Sequence, residues 1–298
     1  MTLPFLRLSG VIPIVLLVCL APLAWSESRP VVVASFSILG DMVEAVGGGR
    51  VEVHTLVGPA MDAHTYTPAP SDARRLSAAD MVVVNGLGFE GWMDRLVAAS
   101  GFAGPKVVVS LGVEPIMIEG ETDPHAWQSL RNAEIYVENI ASALAGMDPD
   151  SANFFALRAS EYRARLQQLD RDIHHFVNAL PPERRSVVTS HDAFRYFESS
   201  YGLRFLPVQG TQPDADISAR ELAGLIRQIR QEQVSAIFIE NVSDPRLMET
   251  VARETGTRIG GELYSDALSP ADGPAATFID LMHYNLKTLR AALRPASE

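Results

Sequence analysis

Short, nearly continuous runs of Val, Ile, Leu and Phe recur along the chain. Runs without polar alternation predict strands that are buried on both faces of a parallel sheet. Four runs lie in the first half, at Val31–Phe36, Val51–Val57, Met81–Asn85 and Lys106–Leu111. Four more lie in the second half, at Ser186–Thr189, Leu203–Val208, Ala236–Glu240 and Arg258–Leu263. The pattern therefore predicts two sets of four parallel strands.

Helices are predicted between the strands from the signals at their ends. Ser218 and Glu221 have the spacing of a capping box, and apolar residues then return every three or four positions. Another helix is predicted from Asp244-Pro245 to Gly256, with proline at its start and glycine at its end. Strands that alternate with helices indicate α/β lobes.

One longer amphipathic stretch separates the two sets of strands. It is predicted to run from Ser151 to Leu180, which at 1.5 Å per residue is roughly 45 Å. Its apolar positions recur at steps of three and four, at Phe155, Ala159, Tyr162, Leu166, Leu169, Ile173, Phe176 and Leu180. We therefore expect two Rossmann-like lobes with mostly parallel four-stranded sheets, joined by one long rigid helix. The lobes are predicted at 27–147 and 183–298, and the linking helix at 148–182.

The first 26 residues have the pattern of a secretory signal peptide. Arg7 precedes an almost wholly apolar run from Val11 to Leu23, and Ala24-Trp25-Ser26 offers small residues where a signal peptidase reads. The run is shorter than the about 20 residues that a membrane span needs. We predict cleavage before Glu27 and export to the periplasm.

Cys19, the only cysteine, lies within this signal. A lipoprotein signal would make it the lipidated residue, but Val18 stands where such signals have a small residue. Without Cys19 the exported chain has no thiol, so it has neither a disulfide nor a thiolate ligand. Any metal site is then restricted to nitrogen and oxygen donors.

Composition and charge narrow the function classes. The chain has 298 residues, enough for two domains, and its 47% hydrophobic and 20% charged residues are typical of a globular protein. The formal net charge of −11 argues against nucleic acid as a partner and suits a protein that collects cations. Because acidic surfaces also promote solubility, the charge does not decide the function.

Acid or imidazole side chains follow four of the predicted strands. The segments are Asp62-Ala63-His64, Asp123-Pro124-His125, Ser190-His191-Asp192 and Ser265-Asp266, two in each half of the chain. Parallel sheets bind ligands at the carboxyl ends of their strands, so all four segments should face one cleft between the lobes. Three imidazoles and one carboxylate complete the shell of a borderline-soft divalent cation. A full shell leaves no open position for catalysis, which favours carriage of the ion.

Several motifs carry a resemblance to a known family. They are the segment from Pro59 to Asp72, Ala79-Asp80, the segment from Asn85 to Trp92, Asp123 to Trp127, Ser190 to Phe197 and Tyr264 to Ser269. Over essentially the whole mature chain they resemble the solute-binding proteins of zinc and manganese ABC importers. The resemblance implies a metal site of His64, His125, His191 and Asp266. It also implies two α/β lobes, a rigid linking helix and a cleft that moves little.

The donor set and one loop give different indications of the ion. His191 stands where relatives resembling manganese carriers tend to have glutamate, and three imidazoles favour Zn²⁺ over Mn²⁺. Many zinc-binding relatives, however, carry a long His-rich loop before the second motif, whereas Val113–Asp123 is short and has no histidine. Zinc is our prediction, with a manganese or iron receptor of the same family as the alternative.

A secreted zinc hydrolase would need an open coordination position and typically a motif such as His-Glu-x-x-His, which the sequence lacks. An adhesin or chaperone that reuses the fold stays open. The expected partner is a membrane permease, a periplasmic metallochaperone is a further candidate, and the protein is expected to be a monomer.

Some residues near the predicted site have two interpretations. Glu240 could orient a ligand imidazole or pair with an arginine, and Asp62 and Asp123 share this ambiguity. Trp127 and Tyr66 could exclude water from the ion or simply be buried aromatics.

Overall fold

The computed structural model describes residues 29–118, 120–212 and 217–294. Within these ranges the strands are β1 Val31–Phe36, β2 Glu52–Val57, β3 Met81–Val84, β4 Lys106–Val108, β5 Met117–Ile118, β6 Glu121–Thr122, β7 Ser186–Thr189, β8 Arg204–Pro207, β9 Ala236–Glu240 and β10 Ile259–Leu263. The α-helices are α1 Ser37–Gly47, α2 Pro70–Ser77, α3 Met93–Ser100, α4 Leu130–Met147, α5 Ala152–Asn178, α6 Arg195–Tyr201, α7 Ala219–Glu232, α8 Pro245–Thr255 and α9 Phe278–Leu293. The predicted signal peptide and Cys19 lie outside the described residues.

Two four-stranded parallel sheets form the centres of the two lobes. The N-terminal sheet has the order β2-β1-β3-β4, and the C-terminal sheet has the order β10-β9-β7-β8. Each sheet places its second strand on one side of the first and its third strand on the other. The winding reverses there, which is where parallel sheets form ligand crevices. The predicted fold class is confirmed.

The β-branched runs form strands because their side chains pack well on both faces of a covered sheet. All four side chains of β3 are buried, as are five of the six in β1. One element was not predicted: the segment between Val113 and Asp123 contains the antiparallel hairpin β5–β6. Within the described ranges, no helix combines the length and apolarity that crossing a membrane would require.

Helix α5 spans 27 residues, or about 40 Å, and connects the lobes. It packs against α1 and α4 of the N-terminal lobe and against α9 of the C-terminal lobe. Seven of the eight apolar positions predicted from the periodicity lie in α5 and are buried, and the eighth, Leu180, is buried just beyond the end of the helix. The helix thus has a continuous apolar face along both lobes, while the exact lobe boundaries stay predictions.

A carboxylate on α1 joins both lobes to this helix. Asp41 accepts a hydrogen bond from the backbone N–H of Phe278 at the start of α9 (2.8 Å) and one from the hydroxyl of Tyr162 on α5 (3.3 Å). Burial raises the pKa of Asp41 to about 6, although both hydrogen bonds oppose that shift. The lobes are therefore connected by polar contacts on the helix side as well as at the cleft.

Candidate metal centre

The four predicted side chains converge between the lobes. His64 lies in the loop after β2, His125 after the β5–β6 hairpin, His191 just beyond β7 and Asp266 just beyond β10. One ligand atom from each of these residues lies within 4.8 Å of the others. Each lobe supplies two of them, as the strand-end argument predicted.

The distances between the donor atoms fit a small ion at their centre. Nε2 of His64 lies 3.1 Å from Nε2 of His125, and Nε2 of His191 lies 3.0 Å from Oδ2 of Asp266. The carboxylate also approaches Nε2 of His64 at 3.5 Å and Nε2 of His125 at 3.7 Å. A tetrahedron with bonds of about 2.0–2.1 Å, as for zinc and imidazole nitrogen, has edges of about 3.3–3.4 Å. These four contacts are therefore close in length to the edges of such a tetrahedron.

The Asp266 carboxylate is prepared to bind a cation. The side chain is fully buried, and its Oδ1 atom has no hydrogen-bond partner. Burial alone would raise the pKa of Asp266, but the imidazoles of His191 and His125 outweigh it and hold this pKa well below its usual value. Asp266 is therefore ionised, with an oxygen available to a ligand.

His191 lies between two carboxylates. Burial would lower the pKa of His191, but Glu240 and Asp266 outweigh it and hold this pKa well above its usual value. For His64, burial dominates over the attraction of Asp266 and lowers the pKa. Because imidazole binds metals through an unprotonated nitrogen, filling the site requires His191 to lose a proton.

Two buried carboxylates contact the imidazoles on the side away from the centre of the cluster. Asp123 Oδ1 lies 2.7 Å from Nδ1 of His125 and accepts a hydrogen bond from the backbone N–H of the same histidine. Glu240 accepts the backbone N–H of His191 at 2.9 Å, and its Oε2 lies 2.7 Å from Nδ1 of His191, off-axis for a hydrogen bond. Asp123 holds the proton of His125 on Nδ1, and Glu240 holds His191 by its backbone N–H and an ion pair at Nδ1, so that Nε2 of both rings faces the centre.

Asp62, Trp127 and Tyr66 are the other residues with two interpretations, and the structure gives them different roles. Asp62 accepts the backbone N–H of His64 and the hydroxyl of Thr65, so it shapes the loop and does not touch the ring. Trp127 is buried against His125, with ring centroids 5.4 Å apart. Tyr66 instead donates to Asp72 and packs on Trp92. Trp127 therefore encloses the centre, and Tyr66 stabilises the neighbouring loop.

Two asparagines that the sequence did not single out hold the loops of Asp266 and His125. Asn241 follows β9, accepts a hydrogen bond from the backbone N–H of Ser265 and donates one to the carbonyl of Ala267. It therefore holds the backbone on both sides of Asp266. Asn85 follows β3 and donates to the carbonyl of Pro124, next to His125. The two occupy equivalent strand ends in sheets of the same order.

We expect Glu240→Gln to weaken metal binding by about 10–100-fold, the usual cost of losing a carboxylate that orients a ligand imidazole. Titration of the chelator-stripped protein with zinc would measure it. Glu249→Gln, on the exposed side of α8, is the matched control and should bind like the original protein. Equal affinities for both variants would contradict the orienting role of Glu240.

Comparison with known proteins gives a family match over most of the chain. The sequence profile of the family described as ZnuA, zinc-uptake complex component A, periplasmic, matches residues 32–292. The manganese-binding lipoprotein MntA of Halalkalibacterium halodurans is 34% identical over 263 residues, which is 88% of each chain.

Solved structures share the fold. The periplasmic zinc-binding protein TroA of Treponema pallidum superposes with a TM-score of 0.86 at 30% identity, covering 90% of this chain and all of its own. A manganese-bound periplasmic metal-binding protein from Candidatus Liberibacter asiaticus superposes with a TM-score of 0.82 at 33% identity, over 89% of this chain and all of its own.

Proposed function

Because this chain belongs to the zinc-uptake complex component A family, it is a periplasmic metal-binding receptor of an ABC importer, and we propose that its ion is zinc. The family consists of solute-binding receptors, and the chain is not an enzyme. The proposed ligands are His64, His125, His191 and Asp266. The observation that carries the proposal is their convergence within 4.8 Å in a buried cleft.

The donor chemistry supports zinc. Three imidazole nitrogens and one carboxylate oxygen suit a borderline-soft ion, whereas manganese prefers harder oxygen donors. The edges of the donor cluster, 3.0–3.7 Å for the four contacts given above, also suit zinc–nitrogen bonds of about 2.0–2.1 Å. TroA, a relative of the same fold, is named a zinc-binding protein.

Manganese is the second candidate. MntA is named a manganese-binding lipoprotein, and one solved relative is described as manganese-bound. The observation against manganese is that, among the residues the structure describes, a third imidazole, His191, completes the cluster in place of a second carboxylate.

The proposed cycle follows from the division of the ligands between the lobes. The protein, exported after cleavage near Ser26, would acquire the ion in the periplasm as a monomer and dock on a membrane permease. Only the closed arrangement completes the shell, so separation of the lobes by the permease would release the ion. A periplasmic metallochaperone is a further candidate partner.

Competitive loading tests the ion. Purified, chelator-stripped protein would be offered zinc and manganese at equal concentration, and the metal that co-elutes with it would be quantified. We expect one equivalent of zinc. One equivalent of manganese would keep the receptor and overturn the zinc assignment, whereas the absence of tight stoichiometric metal would contradict the proposed site itself.

A further inference from the structure

The carbonyl oxygen of Ser265 accepts hydrogen bonds from two side chains of the opposite lobe. Nε1 of Trp127 donates to it at 3.0 Å and Nε2 of Gln128 donates at 2.9 Å. All three residues are buried. The donors come two and three residues after His125, and the acceptor directly precedes Asp266. The contact therefore joins two loops that carry proposed ligands from different lobes.

The same peptide segment is held from its own lobe by a different group. Asn241 accepts the N–H of Ser265 at 3.2 Å and donates to the carbonyl of Ala267 at 3.1 Å. The carbonyl of Ser265 thus bonds to the N-terminal lobe, whereas the N–H of Ser265 and the carbonyl of Ala267 bond to the C-terminal lobe. If the lobes separate, the bonds to Trp127 and Gln128 break while those to Asn241 persist.

Gln128 makes a single side-chain hydrogen bond among the described residues, and that bond crosses between the lobes. Its Oε1 atom is buried without a partner. A buried amide with an unsatisfied oxygen is unfavourable for its own lobe, since desolvating that group is not compensated. The burial of this amide is therefore best explained by the hydrogen bond that its nitrogen donates across the cleft to Ser265.

We propose that Trp127 and Gln128 form an interlobe latch on Ser265 that keeps Asp266 beside His125 and sets the rate at which the ion leaves. This inference rests on the proposed function. An ion in the site and the latch both favour the closed arrangement, so each should stabilise the other. The two residues act by position and do not touch the ion.

The ring of Trp127 has a second role that a test must separate from the latch. It packs against Phe36 and Phe89, with centroid distances of 5.2 and 4.9 Å. Trp127→Phe keeps an aromatic ring there and removes the indole donor. Gln128→Met keeps the length of the side chain and removes the amide donor without disturbing this aromatic cluster.

The test is the rate of zinc dissociation from the loaded protein, followed by stopped flow with an excess of a chromogenic chelator. We expect each variant to lose zinc about tenfold faster, with an unchanged association rate. The melting temperature of chelator-stripped Gln128→Met should stay close to that of the stripped original protein, whereas Trp127→Phe leaves a cavity in a buried cluster and should melt lower. Because both donors share one acceptor, the effect of the double variant should differ from the product of the single effects. Gln168→Met, at an exposed position of α5, is the control and should not change the dissociation rate.

The outcomes distinguish the latch from the receptor. If the original protein holds zinc and Gln128→Met releases it at the original rate, the latch is overturned and the receptor stands. If Trp127→Phe unfolds, Gln128→Met decides alone. If the original protein holds no zinc under these conditions, the proposed zinc site and the latch both fall.

Discussion

Replacing His191 by alanine is expected to weaken zinc binding by at least about 100-fold. Loss of a carboxylate that only orients a ligand already costs about 10–100-fold, and His191 is proposed to bind the ion directly. The substitution also leaves the carboxylates of Glu240 and Asp266 buried without the imidazole that now lies between them. Isothermal titration of the stripped protein with zinc, in competition with a chelator of known affinity, would measure the loss.

A matched control comes from another histidine. His175 is exposed on α5, away from the cleft, so His175→Ala should leave the affinity unchanged. Because two uncompensated carboxylates can destabilise a fold, the melting temperature of His191→Ala must be recorded as well. Asp266→Asn removes a donor without leaving two buried carboxylates uncompensated, and it should also lose most of the affinity for zinc. Original affinity in a folded His191→Ala would refute the ligand assignment.

Removal of the ion is expected to lower the melting temperature by about 10 °C. A ligand at 1,000 times its dissociation constant stabilises the folded state by about 4 kcal/mol. For a chain of this size, 1 kcal/mol corresponds to about 2–4 °C. Calorimetry of the zinc-saturated and the chelated protein would measure the difference. An unchanged melting temperature would mean that zinc does not bind the folded state tightly.

The same measurement on His191→Ala provides an internal control. If the stabilisation arises at the proposed site, zinc should no longer raise the melting temperature of this variant. A rise that persists in the variant would locate the tight zinc site elsewhere on the chain.

Much of the fold could be predicted because its strands are buried on both faces. The runs around Val32 and Val82 are continuous and β-branched, and such runs carry a strong local signal. The convergence of the four side chains could be predicted because a parallel sheet presents its strand ends at one edge, which places His191 and Asp266 together without any local spacing. The apolar period of α5 likewise predicted its buried face.

The supporting contacts could not be predicted, for physical reasons. The β5–β6 hairpin has strands of two residues each, too short for alternation to be visible. Asn241 and Gln128 act through backbone groups 24 to 26 and 137 residues away, and hydrogen bonds to the main chain impose no residue type on their partner. The order of the strands in each sheet was needed to show that Asn85 and Asn241 are equivalent.

Helix α5 determines more than the spacing of the lobes. Each lobe offers two donors, and a two-donor chelator by itself captures an ion only weakly. Since α5 keeps the second pair of donors close to the first, binding of the ion by the second pair is intramolecular. Its effective concentration is set by the length and stiffness of the connection. The donor atoms therefore select the ion, while a helix that never touches the ion contributes to how tightly it is held.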